Sequence, residues 1–249
     1  MKAAALITAL VAAYVLPAYG ILKRLAKGRD ELALTTMKVD GAANVGPALA
    51  REVAAALNVD WSSGELAVTF TASMKFPGRC RFELSSPNTT KKVVAVSSNG
   101  KRKSEGLELP ALQAIADEVC ALIVLRGATD DESRQSVERH LAALKVNSRN
   151  VFLGRFGGSL TWVLGDVGDA PQLWVYKPIP GVNERVVPAR VRWGDDKGNK
   201  WDLQLYDWGS AVGSEWFPRV LELKKGGEPQ LKLTALNADV KLKLGDELF

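Results

Sequence analysis

Histidine occurs once in the 249 residues and cysteine twice. A single imidazole, His140, provides no pair for a metal, and Cys80 and Cys120 lack the short spacing of thiolate ligands. A Ser–His–Asp triad has to use His140, yet no Gly-x-Ser-x-Gly elbow exists to offer the serine. Asp130, Asp131 and Glu132 open a helical pattern, where carboxylates answer the helix dipole without any catalytic role. Asp195 to Asn199 is turn chemistry and has no glutamate at the twelfth position of a calcium loop. Gly154, Gly157 and Gly158 lack the spacing of a phosphate loop. These absences argue against an enzyme and against any metal or cofactor, and they leave His140 as a packed or surface residue.

Charge is equally uninformative about nucleic acid. The formal excess of +5 is mild and scattered, unlike a nucleic-acid footprint. Its densest cluster, Lys101-Arg102-Lys103, follows the turn signal Asn99-Gly100 and reads as a solvated hairpin tip.

One long apolar run is present, at the N-terminus. Lys2 precedes an unbroken stretch from Ala3 to Val15, Pro17 breaks it, and Ala18-Tyr19-Gly20 offers small residues where a signal peptidase cuts. The run is shorter than the roughly 20 residues a bilayer span requires, so residues 1–20 are expected to be a cleavable signal peptide. Retention as an anchor is the alternative. Residues 21–249 then form one exported domain, large enough to bury a sizeable core. In an exported chain an even cysteine count favours a Cys80–Cys120 disulfide. It would close a loop of about 40 residues, worth roughly 4 kcal/mol. Two separately buried thiols are the alternative.

Along the chain, Ile21 to Leu34 is expected to form a helix, Thr36 to Val45 a short strand or connector, and Pro47 to about Asn58 a second helix. From Glu65 to Phe76 every even position is apolar and nearly every odd one polar, which specifies a long strand with one buried face. Pro77-Gly78 turns the chain into a partner strand through Cys80, Phe82 and Leu84, and a third strand follows at Lys91 to Ser97. Leu112, Ile115, Ala116, Val119 and Ile123 keep helical spacing between Pro110 and Arg126. Thr129 and Glu132 form a capping box for another helix carrying Val137, Leu141 and Leu144. From Arg149 onward short strands alternate with glycine-rich turns, and six of the seven tryptophans fall there. No strand–helix–strand rhythm occurs, so the sheet is expected to be antiparallel, with its apolar face covered by helices or by a ligand.

The order of these elements resembles the periplasmic outer-membrane lipoprotein carriers, the LolA/LolB-like family. The likeness rests on Met74-Lys75-Phe76-Pro77-Gly78-Arg79-Cys80-Arg81-Phe82, the Asn99-Gly100 turn, Leu173-Trp174-Val175-Tyr176, Trp216-Phe217-Pro218-Arg219-Val220 and the closing Leu244-Gly245-Asp246-Glu247-Leu248-Phe249. It implies an α+β fold: an unclosed antiparallel β-barrel whose concave apolar face is roofed by helices. It further implies a monomeric carrier of lipid or acylated lipoprotein, with inner- and outer-membrane partner proteins. The cavity would be lined by Leu66, Val68, Phe70, Met74, Phe82, Leu112, Ile115 and Val119, under a lid holding Val137, Leu141 and Leu144. Family carriers place a basic residue immediately before the hairpin proline; here that position is Phe76. A non-enzymatic protein-interaction or sensor domain on the same scaffold is the competing reading, and it predicts a filled interior.

Overall fold

The computed structural model describes residues 16–178 and 185–249. Helix α1 (Ala18–Asp30) leads into strand β1 (Thr36–Val45), then α2 (Pro47–Leu57). Strands β2 (Leu66–Lys75), β3 (Arg79–Ser85), β4 (Lys92–Ser98) and β5 (Lys101–Glu105) follow, then helices α3 (Pro110–Leu122) and α4 (Asp130–Ala143). The second half is a meander of β6 (Val151–Phe156), β7 (Ser159–Gly165), β8 (Gln172–Tyr176), β9 (Pro188–Gly194), β10 (Lys200–Tyr206), β11 (Val220–Lys225) and β12 (Glu228–Val240).

The twelve strands of the described residues join one antiparallel sheet in the order β5-β4-β3-β2-β1-β12-β11-β10-β9-β8-β7-β6. The ends β5 and β6 are not paired with each other, so the barrel is unclosed. β1, expected only as a short strand or connector, is a ten-residue central strand that joins the two halves. Gly41 makes this possible. It sits opposite Phe70 at a bulge, and a Cβ there would lie 2.6 Å from the Phe70 ring and 2.1 Å from the Thr234 carbonyl oxygen. Lys101-Arg102-Lys103, expected as a solvated hairpin tip, opens edge strand β5; the tip itself is Asn99-Gly100.

Period-two patterning produces the buried face. Leu66, Val68, Phe70, Ala72 and Met74 from β2 join Cys80, Phe82 and Leu84 from β3 in a first core. α2 and α3 close it from above, α2 through Ala50, Val53, Ala54 and Leu57. A second core gathers Ile21, Leu22 and Leu25 of α1, Val137 and Leu141 of α4, and Trp162, Leu164, Leu173 and Val175 of the sheet. α3 belongs to both, because Leu122 at its C-terminal end is in the second core while Leu112, Ile115 and Val119 are in the first.

Candidate functional site

The eight residues expected to line a cavity are all buried and all belong to the first core. Side chains of α2 and α3 pack over them. Val137 and Leu141 are buried in the second core, against α1 rather than over the first. Open space lies elsewhere. A groove of about 1200 Å³ runs beside α3, between α4, the β4–β5 hairpin and the end of β9–β10. Ala114, Ala121, Val124, Leu125, Trp193 and Trp201 give it apolar surface. Leu144 and Cys120 also reach it, the only ones of the expected site residues to do so among the described residues. Its size exceeds the roughly 300–1,000 Å³ of ordinary small-molecule sites.

Polar groups of α3 and α4 structure the groove. His140 Nε2 lies 2.8 Å from Glu118 Oε2, and Glu118 is 3% exposed. Burial alone would depress the imidazole pKa, but the charge and hydrogen bond of Glu118 outweigh it and raise the value above the ordinary one. Asp117, one residue earlier, accepts from Arg102 Nε at 2.7 Å and from Gln113 Nε2 at 3.0 Å. These pairs hold α3 to α4 on one side and to β5 on the other. His140 is therefore a partner of a buried carboxylate. Its position one step from Val137 foreshadowed the packing but not the acid, which is 22 residues away on another helix.

The expected disulfide is not formed. Cys80 and Cys120 are both buried free thiols, and Cys120 Sγ donates to the Ser97 carbonyl oxygen at 3.4 Å. Burial pushes the Cys80 thiol well above its ordinary pKa, and the neighbouring Cys120 thiol adds to the shift. The apolar periodicity of the two segments put Cys80 on a strand and Cys120 on a helix, as the structure has them, and the packing brings them together as neighbours without a bond.

The basic residues around the hairpin serve the C-terminal turn. Lys75 Nζ and Arg79 Nη1 meet Asp246 Oδ1 at 2.6 and 2.5 Å. Arg81 bonds Glu83 at 2.8 Å and Glu105 at 3.2 Å.

A residue missed in the sequence ties three elements together. Arg29 is 2% exposed and donates to three main-chain oxygens: Ile123 at 3.0 Å, Glu215 at 2.8 Å and Trp216 at 2.7 Å. Burial, with Arg185 nearby, lowers its pKa to about 9. It ties α1 to the end of α3 and to the loop after β10. Its spacing from Ile21, Leu22 and Leu25 placed it on the buried stripe, the one signal that pointed inward.

No family model and no curated protein matches the chain. Among solved structures it is similar to a LolA superfamily protein from Nitrosomonas europaea, with 9% identity, TM-score 0.46, and coverage of 90% of this chain and 95% of that one. A putative outer membrane lipoprotein-sorting protein domain from Vibrio parahaemolyticus gives 13% identity, TM-score 0.44, and coverage of 92% and 94%. A DUF1329 family protein from Desulfovibrio piger gives 9% identity, TM-score 0.42, and coverage of 93% and 95%. The fold itself rests on strand order and register, which define an unclosed antiparallel half-barrel with helices on its concave face.

Proposed function

We propose that this is an exported, non-enzymatic carrier that holds the acyl part of a lipid or acylated polypeptide between the apolar sheet face and helices α2 and α3. The observation that carries the reading is the position of α3, shared by two apolar cores with a groove of about 1200 Å³ along its flank. An acyl chain entering from the groove meets apolar surface wherever α3 shifts.

The second cover, α2, is lightly held. It buries two alanines, one valine and one leucine. Gly46 precedes it, held to the sheet by its N–H on the Gln230 carbonyl oxygen at 2.8 Å, and Asn58 follows in a left-handed conformation, so on this reading the helix lifts from its Asn58 end. Exposing Val53 and Leu57 costs about 4 kcal/mol. Burial of about five acyl methylenes at roughly 0.8 kcal/mol each offsets that. On this reading Leu66, Val68, Phe70, Met74 and Phe82 contact cargo only after the helices lift, and the closed form is the unloaded one.

Residues 1–15 of the expected signal peptide lie outside the described residues, and cleavage after Gly20 would remove the first turn of α1, Ala18 to Gly20, while leaving its buried stripe of Ile21, Leu22 and Leu25. The test is titration of the mature protein with a fluorescent fatty acid, comparing wild type with Phe70→Asp. Saturable binding lost in the variant, with folding retained, supports the carrier. Equal binding by both places the probe outside the proposed site.

The interaction-domain reading also has an observation in its favour, since all eight expected lining residues are packed shut. A clean absence of acyl binding would select it.

A further inference from the structure

The free edge of β5 borders the groove. The loop residues of the β4–β5 hairpin, Asn99 and Gly100, have φ of 51° and 79°, the geometry a two-residue hairpin favours. Ser98 and Lys101 close that loop as a bonded pair, so bonded pairs recur at Val96–Lys103 and Val94–Glu105. Arg102 and Ser104 fall between them and direct their N–H and C=O groups away from β4. β5 ends the sheet, and no main-chain bond among the described residues takes up those four groups. Arg102 and Ser104 both line the groove, to which α4 contributes Ser136, Arg139 and Ala143.

We propose that β5 is a strand-addition site, binding an extended, carboxylate-bearing polypeptide segment in the groove as a thirteenth strand. Unpaired main-chain groups provide the attachment, and alternate side chains the selection. Charge on the edge strand itself chooses the guest: Lys101, Arg102 and Lys103 follow one another there, while the groove's carboxylates Glu108, Asp117, Glu118, Glu132 and Asp195 all lie outside that strand. A second copy of β5 would set Lys101, Arg102 and Lys103 against their equivalents, which disfavours self-pairing. Arg102 and Lys103 are 71% and 62% exposed while bonded to Asp117 and Glu105, so a guest carboxylate can share either cation. Among the described residues Arg139 makes only a 3.4 Å contact with the Gln135 carbonyl oxygen of its own helix, and it can turn toward the guest. The site does not depend on acyl cargo, so peptides without lipid suffice to test it.

The test selects binders from a random, non-acylated peptide library against the mature protein and measures them by fluorescence anisotropy. Ser104→Pro deletes one outward N–H but no bond to β4, because proline is tolerated at such edge positions. Acid-rich binders are expected. Their affinity should fall about tenfold in Ser104→Pro, the equivalent of one lost hydrogen bond, and fall again with added salt. The Arg102 and Ser104 amides should become protected from hydrogen exchange on binding. If Ser104→Pro does not fold, N-methylation along the peptide replaces it, and sensitivity at alternate positions supports the proposal. Failure to enrich any peptide overturns it, as do binders indifferent to Ser104→Pro or to N-methylation.

Discussion

His140 on α4 and Glu118 on α3 meet at 2.8 Å, where a buried carboxylate and the molecule's single imidazole join the two helices that flank the groove. Because pairing raises the imidazole pKa in the folded state, its stabilisation is complete below the unfolded value of about 6.5 and is lost as pH rises through the folded value. Urea midpoints should therefore fall as pH is raised from about 6 to 8, and His140→Gln should flatten that part of the profile. His140→Ala, which leaves Glu118 buried and unpaired, should cost about 3 kcal/mol. An unchanged pH slope in His140→Gln would contradict the pairing.

Arg29 supplies a second test. Replacement by methionine keeps the bulk but leaves the oxygens of Ile123, Glu215 and Trp216 without their donor. A loss of about 3–5 kcal/mol is expected in chemical denaturation. Arg29→Lys should recover only part of it, since one ammonium cannot reproduce the planar fork. Full recovery by lysine would show that charge alone suffices.

The two cysteines are predicted to titrate as thiols. Denatured protein, never exposed to reductant, should react with a thiol reagent at both Cys80 and Cys120. Native protein should react slowly, because both side chains are buried. Absence of reaction after denaturation, restored by a reductant, would mean that a bond exists.

Gly41→Ala should be among the most damaging single-atom additions. The new Cβ meets the Thr234 carbonyl oxygen and the Phe70 ring at distances no packing tolerates. A loss of about 2–3 kcal/mol is expected, read from the thermal melt. Gly158→Ala is the control, with open space around it but a φ of 81°. A smaller loss there separates crowding from backbone strain.

Much of the architecture was legible in periodicity, and the limits follow from the same physics. β2 was plain because apolar and polar residues alternate across it, and α4 because Thr129 Oγ1 accepts from the Glu132 N–H at 3.2 Å as its capping motif requires. β1 was obscured because Gly41, Ala42 and Ala43 carry little side chain to alternate, and its central place depends on pairing with strands on either side. β5 was obscured because an edge strand of Lys-Arg-Lys-Ser-Glu has no buried face. The groove could not be read at all. It is built from α3, α4 and two hairpins, and its defining contact joins residues that local pattern does not connect. The expected lining residues were recognised as apolar and inward-facing, but alternation cannot tell a wall of a cavity from a packed core.

The most direct test of the carrier is native mass spectrometry of the mature protein purified from its own cells, followed by solvent extraction. A discrete added mass that extracts as acyl lipid is the predicted result. An apo mass alone, together with no saturable uptake of a fluorescent fatty acid, would contradict it.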